Sequence, residues 1–180
     1  MIANAVTASR LILAVPLWLL MAAEGDAARW AALGVLVLAG LTDVVDGRIA
    51  RALNQVSAVG AMLDLVADRV LTATLTVGLI ANGSLEGPWA AAALVLLARD
   101  LAVASFGEAT QGRAKFPVTP LERVKIALQF AGFILLIAPG LVAWQGDVGR
   151  WSLAASAALA LATLVGYARR AARALNAPPP

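Results

Sequence analysis

Asp43-Val44-Val45-Asp46-Gly47-Arg48-Ile49-Ala50-Arg51, followed after eight residues by Gly60-Ala61-Met62-Leu63-Asp64-Leu65-Val66-Ala67-Asp68, sets four acids in two otherwise apolar stretches. A carboxylate held at bilayer depth costs several kcal/mol unless it is paired or coordinated, so acids in such stretches point to function. Asp43 and Asp46 are spaced i,i+3 and Asp64 and Asp68 i,i+4, so on helices each pair shares a face. Gly47 and Ala50 follow Asp43 on one stripe, and Gly60 precedes Asp64 by one turn, which leaves room for a bulky ligand to approach the backbone. Two carboxylate pairs on adjacent antiparallel helices suit hard divalent cations that take oxygen ligands. The plainer alternative is ion pairing of the acids with Arg48, Arg51 and Arg69.

Of the 180 residues, 61% are hydrophobic, well above the roughly one-half of a soluble domain. A membrane is therefore the expected solvent. Cys and His are both absent, which excludes disulfides, thiol nucleophiles, Cys/His zinc sites and any imidazole-dependent triad. Chemistry falls to carboxylates, Arg, Lys, hydroxyls and bound metal. Leu11 to Ala23, with Arg10 as its flank, has the form of a signal-peptide core. Because apolar segments continue along the chain, it reads better as the first of several spans.

About 20 mostly apolar residues cross a 30 Å hydrocarbon core, and six such stretches can be counted: 2–23, 28–50, 59–80, 88–106, 121–137 and 148–167. The connectors between them carry turn chemistry, as in Glu24-Gly25-Asp26 and Asn82-Gly83-Ser84. The expectation is an all-α polytopic protein, one six-helix transmembrane bundle over residues 1–175, with a disordered tail at 176–180. With both termini cytoplasmic, twelve of the fourteen bases face the cytoplasm, Arg69 and Arg99 only if their helices admit water from that face, and Arg29 and Arg150 lie outside, beside Glu24, Asp26, Glu86 and Asp147. That bias follows the positive-inside rule for an even number of spans.

The acid-bearing segment resembles the CDP-alcohol phosphotransferase family, whose motif D-x2-D-G-x2-A-R-x8-G-x3-D-x3-D is matched at Asp43, Asp46, Gly47, Ala50, Arg51, Gly60, Asp64 and Asp68. The six-helix layout is also similar to that family. The resemblance implies two divalent cations, Mg²⁺ or Mn²⁺, one held by Asp43, Asp46 and Asp64 and the second by Asp43, Asp64 and Asp68. It implies that Gly47, Arg51 and Ser57 meet the CDP moiety beside the small positions Ala50 and Gly60, that Arg51 and the metals neutralise the diphosphate, and that Asp68 takes the acceptor's proton. CMP is then the leaving group. Asn4, Thr7 and Arg10 resemble the N-x-x-T-x-x-R start of bacterial members, near the nucleotide; the alternative is a simple cap on the first helix. A homodimer in a bacterial inner membrane is implied in the same way.

The motif leaves the acceptor alcohol open. The small size and the Asn4 start resemble phosphatidylglycerophosphate synthases, which use CDP-diacylglycerol and glycerol 3-phosphate. Ala39 to Asp43 and the Arg99-Asp100 pair resemble cardiolipin synthases with phosphatidylglycerol as acceptor; inositol phosphate and serine are further options. Both leading groups tend to carry a Lys and a Thr-containing turn at the start of helix five, whereas Glu122-Arg123-Val124-Lys125-Ile126 has no Thr. For a phosphate-bearing acceptor, Arg113, Lys115, Arg123, Lys125 and Arg99, the last near the cytoplasmic end of helix four, are the expected cations. Arg99 and Asp100 also admit a purely structural ion pair. The competing function class is a cation or phosphate transporter with acids along its path, which leaves the fixed places of Gly47, Ala50, Arg51 and Gly60 unexplained.

Overall fold

The computed structural model describes residues 2–52, 58–111, 113, 114, 116–140 and 142–176; residues 2–10, 43–52, 58, 59, 61 and 64 are described by their backbone alone. All regular structure among these residues is helical: α1 (Ile2–Ala22), α2 (Asp26–Ala52), α3 (Ala58–Ala81), α4 (Gly87–Ala109), α5 (Pro120–Ile137) and α6 (Gln145–Asn176). The six apolar stretches of the sequence correspond to these six helices, although α6 runs nine residues beyond the expected end at 167. The tail at 177–180 lies outside the described residues. Two helices, α4 and α6, are long and apolar enough to cross a bilayer by length and composition among the described residues.

The chain divides into two compact units, Met1–Leu85 with Leu136–Ala143, and Glu86–Leu135 with Trp144–Pro180. In the first unit α1 packs against both α2 and α3. Their seam is aliphatic: Leu17, Ala32, Ala67, Leu75 and Leu79 are each 1% exposed or less, and excluding such side chains from solvent is the main favourable term in packing. Helix α3 stops where Gly83 turns to φ +75°, a conformation that costs a glycine little. The turn lets the Leu85 N–H donate to the Leu79 carbonyl at 2.9 Å and buries the Leu85 side chain completely.

In the second unit α4 packs against α6, and α5 lies against α6 where Gly132 meets Leu153. A Cβ at position 132 would stand 2.8 Å from Leu153 Cγ and 3.0 Å from the Gly149 carbonyl oxygen, so glycine is what permits this approach. Trp89 and Trp151 meet edge to face at 4.9 Å near the starts of α4 and α6. Both units leave large apolar side chains uncovered, among them Ile12, Val15 and Leu19 on α1, each more than 60% exposed, and Leu94, Val165 and Trp151 in the second unit. Apolar surface on this scale is suited to lipid rather than water.

Candidate active site

Helices α2 and α3 run without a break through the motif positions: 43, 46, 47, 50 and 51 lie in the last turns of α2, and 60, 64 and 68 in the first three turns of α3. The assumption that each aspartate pair lies one turn apart on a helix therefore holds for the backbone. Immediately before Asp43, the Thr42 hydroxyl donates to the Ala39 carbonyl at 2.9 Å, so it turns back onto its own helix. Asp68 is exposed and Gly60 half-buried. Arg69, one candidate ion-pair partner for the acids, donates to the Leu65 carbonyl of its own helix at 3.3 Å.

The side chains of Asp43, Asp46, Asp64, Ala50, Arg51, Asn4 and Thr7 lie outside the described residues, as do Ser57 and Lys115 entirely; Gly47 is placed by its backbone. Among the described residues no three acids cluster, since Asp68 alone of the four motif aspartates has a described side chain. The donor set still fits a hard cation, because the chain offers carboxylates and no imidazole or thiolate. The opposite ends of α1 and α2 hold a different feature, a cavity of about 570 Å³ lined by Glu24, Asp26, Arg29 and Asn82 among others. It contains no motif residue.

The four expected acceptor cations whose side chains are described separate into distinct environments. Arg99 is buried at the middle of α4, twelve residues from its first residue and ten from its last, and so not near the helix end where the sequence reading put it. Its guanidinium donates through Nη1 to Glu122 Oε1 at 2.9 Å and through Nη2 to Glu122 Oε2 at 2.8 Å. It also reaches Asp100 Oδ1 at 3.0 Å and Thr163 Oγ1 at 2.8 Å, with Cζ 5.1 Å from the centre of the Tyr167 ring. Lys125 Nζ donates to both oxygens of Asp100, at 2.7 and 3.0 Å, and lies 3.7 Å from Glu122. Arg123 is exposed. Arg113, also exposed, donates from Nε to the Thr110 carbonyl at 3.3 Å.

Sequence reasoning did not identify Glu122 as the partner of Arg99. A signal was present, because adjacent side chains on a helix are poorly placed to satisfy each other. Arg99 does reach Asp100, but each also takes a counter-charge from α5, Glu122 for Arg99 and Lys125 for Asp100.

The family model for CDP-alcohol phosphatidyltransferases matches residues 1–166. A CDP-diacylglycerol--glycerol-3-phosphate 3-phosphatidyltransferase of Rickettsia typhi is 30% identical over 135 residues, 74% of each chain. A probable phosphatidylglycerophosphate synthase of Mycobacterium tuberculosis is 30% identical over 179 residues, 97% of this chain and 82% of the relative. A cardiolipin synthase (CMP-forming) of Streptomyces coelicolor is 42% identical over 86 residues, 47% of this chain and 39% of the relative. With the motif intact on two continuous helices and a family match over most of its length, the chain belongs to the CDP-alcohol phosphatidyltransferase family and is an integral membrane phosphatidyltransferase of phospholipid biosynthesis.

Proposed function

We propose that this enzyme transfers the phosphatidyl group of CDP-diacylglycerol to glycerol 3-phosphate, giving phosphatidylglycerophosphate and CMP. The observation that carries the reading is the matched aspartate motif on unbroken α2 and α3, in a chain whose relatives with the broadest coverage bear names for this reaction. The acceptor hydroxyl oxygen attacks the phosphatidyl phosphorus, the bond from that phosphorus to the CMP oxygen breaks, and the hydroxyl proton passes to the Asp68 carboxylate. Asp43, Asp46, Asp64 and Asp68 would hold two divalent cations, Mg²⁺ or Mn²⁺, whose chemistry when bound is to offset the charge of the diphosphate. Gly47, Ala50, Arg51, Ser57 and Gly60, with Asn4 and Thr7, form the CDP side, where Arg51 adds a fixed cation. Arg113, Lys115 and Arg123 supply positive charge toward the acceptor.

All six helices span the bilayer in this reading, as one domain over residues 1–175, with both termini and the aspartates on the cytoplasmic side of a bacterial inner membrane. The partner is a second copy of the chain in a homodimer. A second acceptor, phosphatidylglycerol, is favoured by the Streptomyces relative, whose identity is the highest of the three over a shorter stretch. Purified enzyme in detergent should release CMP from CDP-diacylglycerol when glycerol 3-phosphate is added. It should stop in excess EDTA and resume with Mg²⁺ or Mn²⁺. Turnover with phosphatidylglycerol and none with glycerol 3-phosphate would transfer the assignment to the second acceptor, and full turnover in EDTA would remove the metals.

A further inference from the structure

Four charged side chains of α4 and α5 meet at one level, beside Thr163 and Tyr167 of α6. The side chains of Arg99, Glu122 and Lys125 are 4%, 9% and 3% exposed, and that of Asp100 26%. Two cations and two anions sum to zero, so the cluster presents no net charge to a phosphate. Its grips are also occupied: both terminal nitrogens of Arg99 are directed at carboxylates and Thr163, and Lys125 is held by Asp100. Arg99 Nε has no hydrogen-bond partner, but it is itself buried. Arg123 stands between Glu122 and Lys125 in the same turn of α5 and is exposed.

That turn is anchored at several points. The Glu122 N–H donates to the Thr119 hydroxyl at 3.2 Å, and Pro120 begins the helix, the arrangement of a helix N-cap followed by proline. The Tyr167 hydroxyl donates to the Pro117 carbonyl at 3.1 Å, and the Ser156 hydroxyl to the Lys125 carbonyl at 2.9 Å. Two side chains tie this part of α5 to α4: Glu122 grips Arg99 through both oxygens, and Lys125 reaches Asp100 one turn further on. We infer that Glu122 is a positioning residue: by gripping Arg99 as a fork it fixes the first turn of α5, and so sets the place of Arg123, the exposed cation of that turn that meets the acceptor's phosphate. Arg99 and Lys125 then serve the acceptor only through that geometry. The inference rests on the proposed phosphate-bearing acceptor.

The competing account makes Arg99 and Lys125 the phosphate grips and Glu122 a rival for them, and the two differ in sign. Glu122→Gln should raise KM for glycerol 3-phosphate about tenfold, with KM for CDP-diacylglycerol and kcat within about twofold of the parent. Glu122→Asp, which keeps the charge but shortens the reach, should fall between. Breaking one side of a buried pair leaves an uncompensated charge, whereas removing both members restores neutrality. Both changes remove the same fork, so Arg99→Gln/Glu122→Gln should raise KM no further than Glu122→Gln does, and being neutral it stands in if the single variant fails to fold.

A lower KM in Glu122→Gln, or a double variant worse than the single, would overturn the inference. Because the chain has no cysteine, a nitroxide on Arg123→Cys reports the turn without any substrate. Its spectrum should be ordered in the parent and mobile with Glu122→Gln, and an unchanged spectrum would also overturn the inference. If the parent releases no CMP with glycerol 3-phosphate, the acceptor assignment fails, while the spin-label arm still decides whether Glu122 holds the turn.

Discussion

Arg123 and Lys125 are two residues apart on α5 and differ in nearly everything that decides their roles. One is exposed, and the other has a 3% exposed side chain between two carboxylates. Removing Lys125 leaves Asp100 and Glu122 with Arg99 as their only described ion-pair partner, and loss of one member of a buried ion pair costs about 3 kcal/mol. Lys125→Ala should lower the unfolding temperature in detergent markedly. Arg123→Ala should leave it nearly unchanged, since exposed substitutions fall within about 0.5 kcal/mol, and instead raise KM for glycerol 3-phosphate several-fold. Equal unfolding temperatures for the two variants would refute the distinction. At Asp68, Asp68→Asn should cost about 10²–10⁴ in kcat, the range for a general base, with CDP-diacylglycerol binding retained in an equilibrium binding measurement. The aspartates were legible in the sequence because charge in an apolar run is conspicuous and their spacing is local. The partnership of Arg99 with Glu122 spans 23 residues, and no local spacing rule reports it.

Helix bounds were legible to within a few residues wherever Gly, Asn or Pro marks an end, as at Gly25, Gly83 and Pro120. The C-terminal end of α6 was not, since Tyr167 to Asn176 carries no breaker and its three arginines suit a helix emerging from lipid as well as they suit a loop. The contact of α5 with α6 was equally invisible, because Gly132 lies in a run whose sequence does not say which face meets a neighbour. It offers a test of packing. Alanine is favoured over glycine by about 1 kcal/mol within a helix, but here the new Cβ would lie 3.0 Å from the Gly149 carbonyl and closer still to Leu153. A backbone oxygen cannot step aside as a flexible side-chain end can, and overpacking typically costs about 1–3 kcal/mol. Gly132→Ala should therefore destabilise the protein despite its better propensity. Gly78→Ala, whose nearest neighbours would be the flexible end and Cβ of Met21, should be tolerated. If thermal unfolding in detergent shows Gly132→Ala as stable as the parent, the α5–α6 approach is looser than described.

At the scale of the whole molecule, the proposed six spans make a prediction independent of catalysis. Trp18 is near the end of α1, Trp30 in the first two turns of α2, Trp89 in the first turn of α4, Trp144 just before α6 and Trp151 in its second turn. If the chain crosses the bilayer at every helix, all five tryptophans fall on the side opposite the termini, and ten of the fourteen bases fall on the side of the aspartates, with Arg69 and Arg99 near the middles of α3 and α4. Indole is favoured at the level of the head groups and Lys and Arg on the cytoplasmic side, so one interface would be held by aromatic rings and the other by charge. Trp30, Trp144 and Trp151 are each more than half exposed, which leaves them open to a quencher. In sealed proteoliposomes sorted by access to a C-terminal tag, external iodide should quench most tryptophan fluorescence where the tag is inside and little where it is outside. A protein with fewer spans would split the five residues between the two faces, and comparable quenching in both orientations would refute the six-span topology even if phosphatidyl transfer were confirmed.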